Sequence, residues 1–255
     1  MNSKERLKQL IGRSPQTSTS RHIIFAVGAV DGRILELYDR VLALERKKGV
    51  TCDWVVCVGS LGVWPDARAV DRGTRKNQNE SGDFARLYQS DWVAPRPTLF
   101  ISGAHEDHLW LNRRFKSRNL QVLGNVHHLV NGYQTVIGPS VVGLGKVYSP
   151  NVYEGLPSKK WFRHYSQLEV LRAQSHGETD MLITHQGPIG EVFGRKVSNS
   201  KGIKSIIHSL RPKIVIHGGY QYSKQYTCLN SQVVSLGRME ILPLKYDKDK
   251  GISFI

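Results

Sequence analysis

Acidic side chains are scarce in this chain. Its 255 residues carry 21 Asp and Glu against 36 Lys and Arg, a net charge of +15. A surplus of that size favours polyanionic partners, or serves solubility alone. Cysteine is sparser still: Cys52, Cys57 and Cys228 fit neither a metal-ligand spacing nor a disulfide framework. That excludes a stapled secreted scaffold and leaves three buried thiols in a reducing compartment. No apolar run approaches the roughly 18 residues a membrane helix needs, and the N-terminus lacks the apolar core of a secretory signal. A cytoplasmic protein with no membrane contact is the expectation.

What the chain does have is an ordinary core composition, 40% apolar and 9% aromatic, enough for one sizeable domain over residues 22–255. Residues 1–21 hold Lys4, Arg6, Lys8, Arg13 and Arg21 against the single acid Glu5 and read as a flexible basic arm, with a short amphipathic helix around Lys4 to Ile11.

Apolar periodicity predicts a strand over Ile23 to Val27, a helix over Arg33 to Lys48 closed by Gly49, and a strand over Asp53 to Val58. This strand-helix-strand opening implies parallel pairing with a right-handed crossover. Further strands are expected at Thr98 to Ser102, Met181 to Thr184 and Ile214 to Ile216, and helices at Asp83 to Gln89, Ser166 to Ser175 and Lys201 to Leu210. Four short runs between Leu120 and Gly145 read as a meander in a second sheet, which Gln232 to Leu242 and Ile252 to Phe254 complete.

Five apolar runs break at a glycine or histidine, as buried strands do where chemistry sits on the following loop. They end in Gly28-Ala29-Val30-Asp31, Gly59-Ser60, Ser102-Gly103-Ala104-His105-Glu106, His185 and His217-Gly218-Gly219-Tyr220-Gln221. Their order and spacing over about residues 22 to 240 resemble the calcineurin-like metallophosphoesterase superfamily. Ala94-Pro95, followed by an apolar strand and Gly103-Ala104-His105-Glu106, is similar to the lariat-RNA debranching branch. The resemblance implies an α/β fold, a two-sheet β-sandwich flanked by helices in four layers, with the site at one end of the strands.

Metal ligands of that family fall here on Ala29, Asp31, Ser60, Ala104, Gly219 and Gln221, all six departing from the pattern, while His105 and His185 match it. A two-metal centre needs oxygen ligands and imidazoles converging on both cations to activate water and neutralise the phosphate. Alanine and glycine have no lone pair to offer. The expectation is therefore no cofactor, with one weakly bound divalent metal around Asp31, His105, His185 and His217 as the alternative. Each of these histidines also admits a structural reading, and His127-His128 is expected to alternate between core and solvent.

Basic clusters follow the motif strands: Arg72, Arg75 and Lys76; Arg113, Arg114, Lys116 and Arg118; Lys159, Lys160 and Arg163; Arg195, Lys196, Lys201 and Lys204. With Trp110, Phe115, Trp161, Phe162 and Tyr165 nearby they suit single-stranded nucleic acid; as solvated faces and core aromatics they carry no function. The first expectation is a protein that binds nucleic acid or another phosphorylated polyanion through a degenerate phosphoesterase cleft. A protein-protein scaffold and a phosphodiesterase on RNA or DNA with a reduced metal site are the alternatives.

Overall fold

In the computed structural model, residues 21–71, 75, 82–117, 120–155, 162–188, 191–192, 195–196, 201–219 and 223–255 are described. The N-terminal arm up to residue 20 therefore lies outside them. Arg21, placed with the arm by sequence, is instead the first residue of a strand, and its Nε lies 3.0 Å from Asp247 Oδ2.

One six-stranded sheet contains β1 (Arg21–Val27), β2 (Trp54–Cys57), β3 (Val93–Phe100), β4 (Gln121–His128), β13 (Ile241–Asp247) and β14 (Gly251–Phe254), in the order β14-β13-β1-β2-β3-β4. The second contains β5 (Gln134–Val136), β6 (Ser140–Leu144), β7 (Met181–Thr184), β10 (Ile214–His217), β11 (Lys224–Cys228) and β12 (Ser231–Ser235), in the order β11-β12-β10-β7-β6-β5. A small ladder pairs β8 (Glu191–Val192) with β9 (Arg195–Lys196). The helices are α1 (Ile34–Lys48), α2 (Phe84–Tyr88), α3 (His108–Lys116), α4 (Pro150–Tyr153), α5 (Gln167–Gln174) and α6 (Lys201–Leu210).

Strand periodicity builds the layers. In β1, Ile24 and Ala26 point into the space between the sheets, where they meet Val141, Met181, Ile183 and Ile216 of the second sheet. Their neighbours Phe25 and Val27 point the other way, onto Ile34, Leu37 and Val41 of α1. On the opposite outer face, Leu182, Val215 and Val233 pack against α5 and α6 through Val170, Ala173, Ile203, Ile206 and Ile207. The result is the expected four-layer, helix-sheet-sheet-helix α/β sandwich. Parallel pairing runs through β1-β2-β3-β4 and through β6-β7-β10-β12, so the carboxyl ends of these strands point the same way within each sheet.

Three sequence expectations need correction. Gln121 to Val130 does not form two strands of a second-sheet meander: β4 is one strand of the first sheet, parallel to β3. Nor do the C-terminal runs close the second sheet together. Only β12 joins it, while β13 crosses over to pair antiparallel with β1, and β14 follows at the edge. His127 and His128 do not alternate between core and solvent either, being 7% and 8% exposed. The three cysteines are buried free thiols, as expected.

Candidate functional site

The loops after β1, β2, β3, β7 and β10 meet at one end of the sandwich. Backbone amides of Val30 and Asp31 both donate to the Ser60 carbonyl at 2.8 Å, tying the first loop to the second. The His105 amide donates to Ser60 Oγ at 3.2 Å, tying the third to the second. Gly103 makes this approach possible, since a Cβ there would lie 2.3 Å from Ser60 Oγ. Beneath these loops Glu106 is buried and accepts four backbone N–H groups: Leu61 at 2.7 Å and Gly103 at 3.4 Å on Oε1, Val63 at 2.6 Å and Gly62 at 3.1 Å on Oε2. Burial pushes its carboxyl up to about 8, against the pull of those donors. Glu106 thus fixes the loops and is closed off from any ligand.

The four histidine and aspartate candidates come to this end, each already engaged or shielded. Asp31 Oδ2 lies 2.8 Å from Arg238 Nε; burial raises its pKa, while Arg238, His105 and Arg33 lower it. His105 Nδ1 lies 3.3 Å from Asp71 Oδ2. Burial pushes His185 and His217 down to about 4, so both are neutral imidazoles at physiological pH. His217 Nε2 is 2.9 Å from the Tyr226 hydroxyl and its Nδ1 3.2 Å from the Gly218 carbonyl. His185 Nδ1 is buried without a partner.

Where the family pattern would place metal donors stand Ala29, Ser60, Ala104 and Gly219; Gln221 lies outside the described residues. Gly219 has φ +80°, and a Cβ there would meet the His185 carbonyl oxygen at 2.6 Å, so the present backbone holds room for glycine alone. Among the described residues no group of three or more His, Cys, Asp or Glu side chains is placed to hold a metal ion. Cys57, below Gly28 and Gly59, is fully buried with its thiol pushed up to about 12, and supplies no thiolate.

No family model matches the chain. Among curated proteins it is 26% identical to the lariat debranching enzyme of Entamoeba histolytica, across 91% of this chain and 77% of that protein. The chain is a distant relative of lariat debranching enzymes. It also resembles the lariat debranching enzyme of Drosophila melanogaster, at 26% identity over 64% of this chain, but spans only 32% of that protein's length. A Thermus thermophilus protein, TT1561, superposes over 91% of this chain and 97% of its own with a TM-score of 0.54 at 16% identity. The architecture is the metallophosphoesterase fold.

Only part of each basic cluster falls among the described residues. Arg113 and Lys116 are exposed in the last turn of α3, seven and ten residues along from Glu106, hence about 10 Å or more from the loops at 1.5 Å per residue. Arg114 lies over the Trp110 ring at 4.7 Å and donates to the Gln121 carbonyl. Arg75 is exposed and donates to the Arg68 carbonyl, and Arg163 is exposed. Arg72, Lys76, Arg118, Lys159 and Lys160 lie outside the described residues, as do the side chains of Arg195, Lys196 and Lys201. Among the aromatics, Tyr165 is 1% exposed and belongs to the core, while half-buried Trp110 packs on Phe84 and Tyr88. Sequence reading missed Asp71, Arg238 and Tyr226. Asp71 and Arg238 reach their candidates from far along the chain, and Tyr226 reaches His217 across nine residues.

Proposed function

We propose that this chain is a metallophosphoesterase-fold protein that has given up its dinuclear centre and acts by binding nucleic acid or another phosphorylated polyanion. The carrying observation is the set of side chains at the strand ends: Ala29, Ser60, Ala104 and Gly219 offer at most one neutral hydroxyl, and Asp31 faces Arg238. These residues do not fit a two-metal site, which needs converging carboxylates and imidazoles. The polyanion part is supported by the +15 charge, by exposed Arg75, Arg113, Lys116 and Arg163, and by relatives named for debranching lariats.

Fluorescence anisotropy with single-stranded RNA tests it. Log affinity should fall linearly with log salt, with a slope of about −0.7 for each phosphate neutralised. No measurable binding at about 50 mM salt, where Debye screening is weak, removes the nucleic-acid reading and leaves the protein scaffold.

The relatives' name favours a second reading, a phosphodiesterase on RNA or DNA with a reduced metal site. Hydrolysis of such substrates that needs added manganese and disappears in His105→Ala would install it in place of the first.

A further inference from the structure

A groove of about 230 Å³ lies between α3, α5 and the ends of β4 and β6. Its accessible wall is chiefly carbon, from Phe115 on α3, Val130 after β4, Phe162, and Leu168 on α5. Leu168 is 64% exposed, and Leu171, one turn further along α5, is 52% exposed. On α3, Leu109 follows the lining residue His108 and is also exposed. Single exposed leucines need no explanation, but three beside one apolar groove mark a surface that a partner covers.

The walls are held before any partner arrives. Phe115 meets the Tyr133 ring edge-on at 5.8 Å between centroids, and Arg172 lies over that ring at 4.8 Å. The capping box of Ser166 and Glu169 fixes the first turn of α5, which carries Leu168, and Lys146 Nζ holds Glu169 at 2.8 Å. A preformed groove loses little freedom on binding.

The charge around it is basic. Glu169 is the single acid among the lining residues, and Lys146 neutralises it. Arg172 lines the groove as well; Arg163 sits between the lining residues Phe162 and His164, and Lys116 follows Phe115, both exposed. That sign decides among occupants. A second copy of the chain brings its own net charge of +15, and residues 1–20 hold Lys4, Arg6, Lys8 and Arg13 against Glu5, so both are repelled. A phosphate backbone answers the rim but leaves the apolar wall in water. An acidic polypeptide with an apolar anchor answers both.

We propose that the groove between α3 and α5 docks an acidic segment of a partner protein. A bulky apolar side chain of that segment sits between Phe115, Phe162 and Leu168, and the Asp or Glu beside it face Lys116, Arg163 and Arg172. Amphipathic segments are taken up by apolar grooves in this way, with one or a few buried anchors carrying most of the affinity. This surface is separate from the strand-end loops and does not rest on the nucleic-acid reading.

Random short peptides displayed on phage are panned against the immobilised full chain, and the strongest binders are synthesised with fluorescein for anisotropy. The enriched sequences should join Leu, Ile, Phe or Trp to neighbouring Asp or Glu, and should bind more weakly as salt rises. Leu168→Ser changes a side chain that is already exposed, so it should melt like the wild type and cost those peptides about tenfold or more in affinity. Lys116→Glu with Arg163→Glu, at two exposed charges, should weaken them as well and gives a second readout should Leu168→Ser fold poorly. No enrichment, enrichment without the acidic-apolar pairing, or binding that both variants leave unchanged overturns the docking surface. Loss of single-stranded RNA binding in Leu168→Ser gives the groove to nucleic acid, and a dimer in sedimentation that this variant abolishes gives it to a second copy; either result overturns the acidic partner.

Discussion

Arg238 Nε lies 2.8 Å from Asp31 Oδ2, so the carboxylate that replaces a family metal ligand is neutralised from inside the chain. Asp31 is 11% exposed in its side chain, has φ 51°, and feels Arg33 as well. Arg238 is 45% exposed, and water screens much of the attraction. Arg238→Ala should cost about 1 kcal/mol, mostly for the buried charge left behind. Asp31→Asn in that background should recover most of it, because asparagine tolerates the left-handed backbone. Urea midpoints of the single and double variants measure this; no recovery in the double variant sinks the account.

Glu106→Gln tests what holds the loops together. Above its raised value near 8 the ionised carboxylate accepts two backbone N–H groups on each oxygen, so at pH 9 an amide turns one acceptor into a donor aimed at donors. A loss of about 2 kcal/mol or more is expected from the stranded amides. A change below about half that would show that the loops are tied chiefly by their own backbone bonds.

Four histidines held well below their ordinary value give the fold an acid limit. His185 and His217 are pushed down to about 4, and His108 and His128 to about 3. Below the ordinary value near 6.5 the unfolded chain takes protons that the folded chain refuses. Their stability contribution is complete above about 6.5 and is lost as pH falls toward the folded values, at about 1.4 kcal/mol per pH unit for each histidine. Asp31 and Glu106, both raised, oppose this in the same window. Four histidines against two carboxyls leave a net loss as pH falls below about 6.5. Denaturant midpoints at pH 7, 6 and 5 should fall in that order, and a flat or rising series contradicts the burial.

Much of the architecture was legible because β1, β2, β7 and β10 are short apolar runs ending at glycine or histidine. The β4 strand was not. Its Gly124-Asn125 reads as a turn, yet Asn125 sits at φ 63° inside the strand and donates to the Ala94 carbonyl, where the β3–β4 register shifts. The strand assignment of β13 was equally hidden, since its partner β1 lies more than two hundred residues earlier and Pro243 breaks its pattern. At the site, absent donors are visible as residue types. What replaced them, Arg238 on Asp31 and Asp71 on His105, is visible only in three dimensions.

Added manganese, iron or zinc should leave the melting temperature unchanged, because a ligand of the folded state alone raises it in proportion to ln(1 + [L]/Kd). Elemental analysis should find no stoichiometric ion. One or two ions per chain, absent from His105→Ala or His185→Ala, would mean that residues outside the described set complete a site.

Charge reversal locates the polyanion surface. Arg113 and Lys116 are exposed on α3 and make the cleanest targets; Arg114→Glu would also remove the cation held over Trp110 and confuse packing with charge. Arg113→Glu with Lys116→Glu should weaken binding to single-stranded RNA and flatten the salt slope by about 0.7 for each phosphate that is no longer neutralised. Lys4→Glu, Arg6→Glu and Lys8→Glu together should cost less, because α3 holds its charges in place before binding. Leader changes that cost as much as the α3 pair would move the binding surface to the arm.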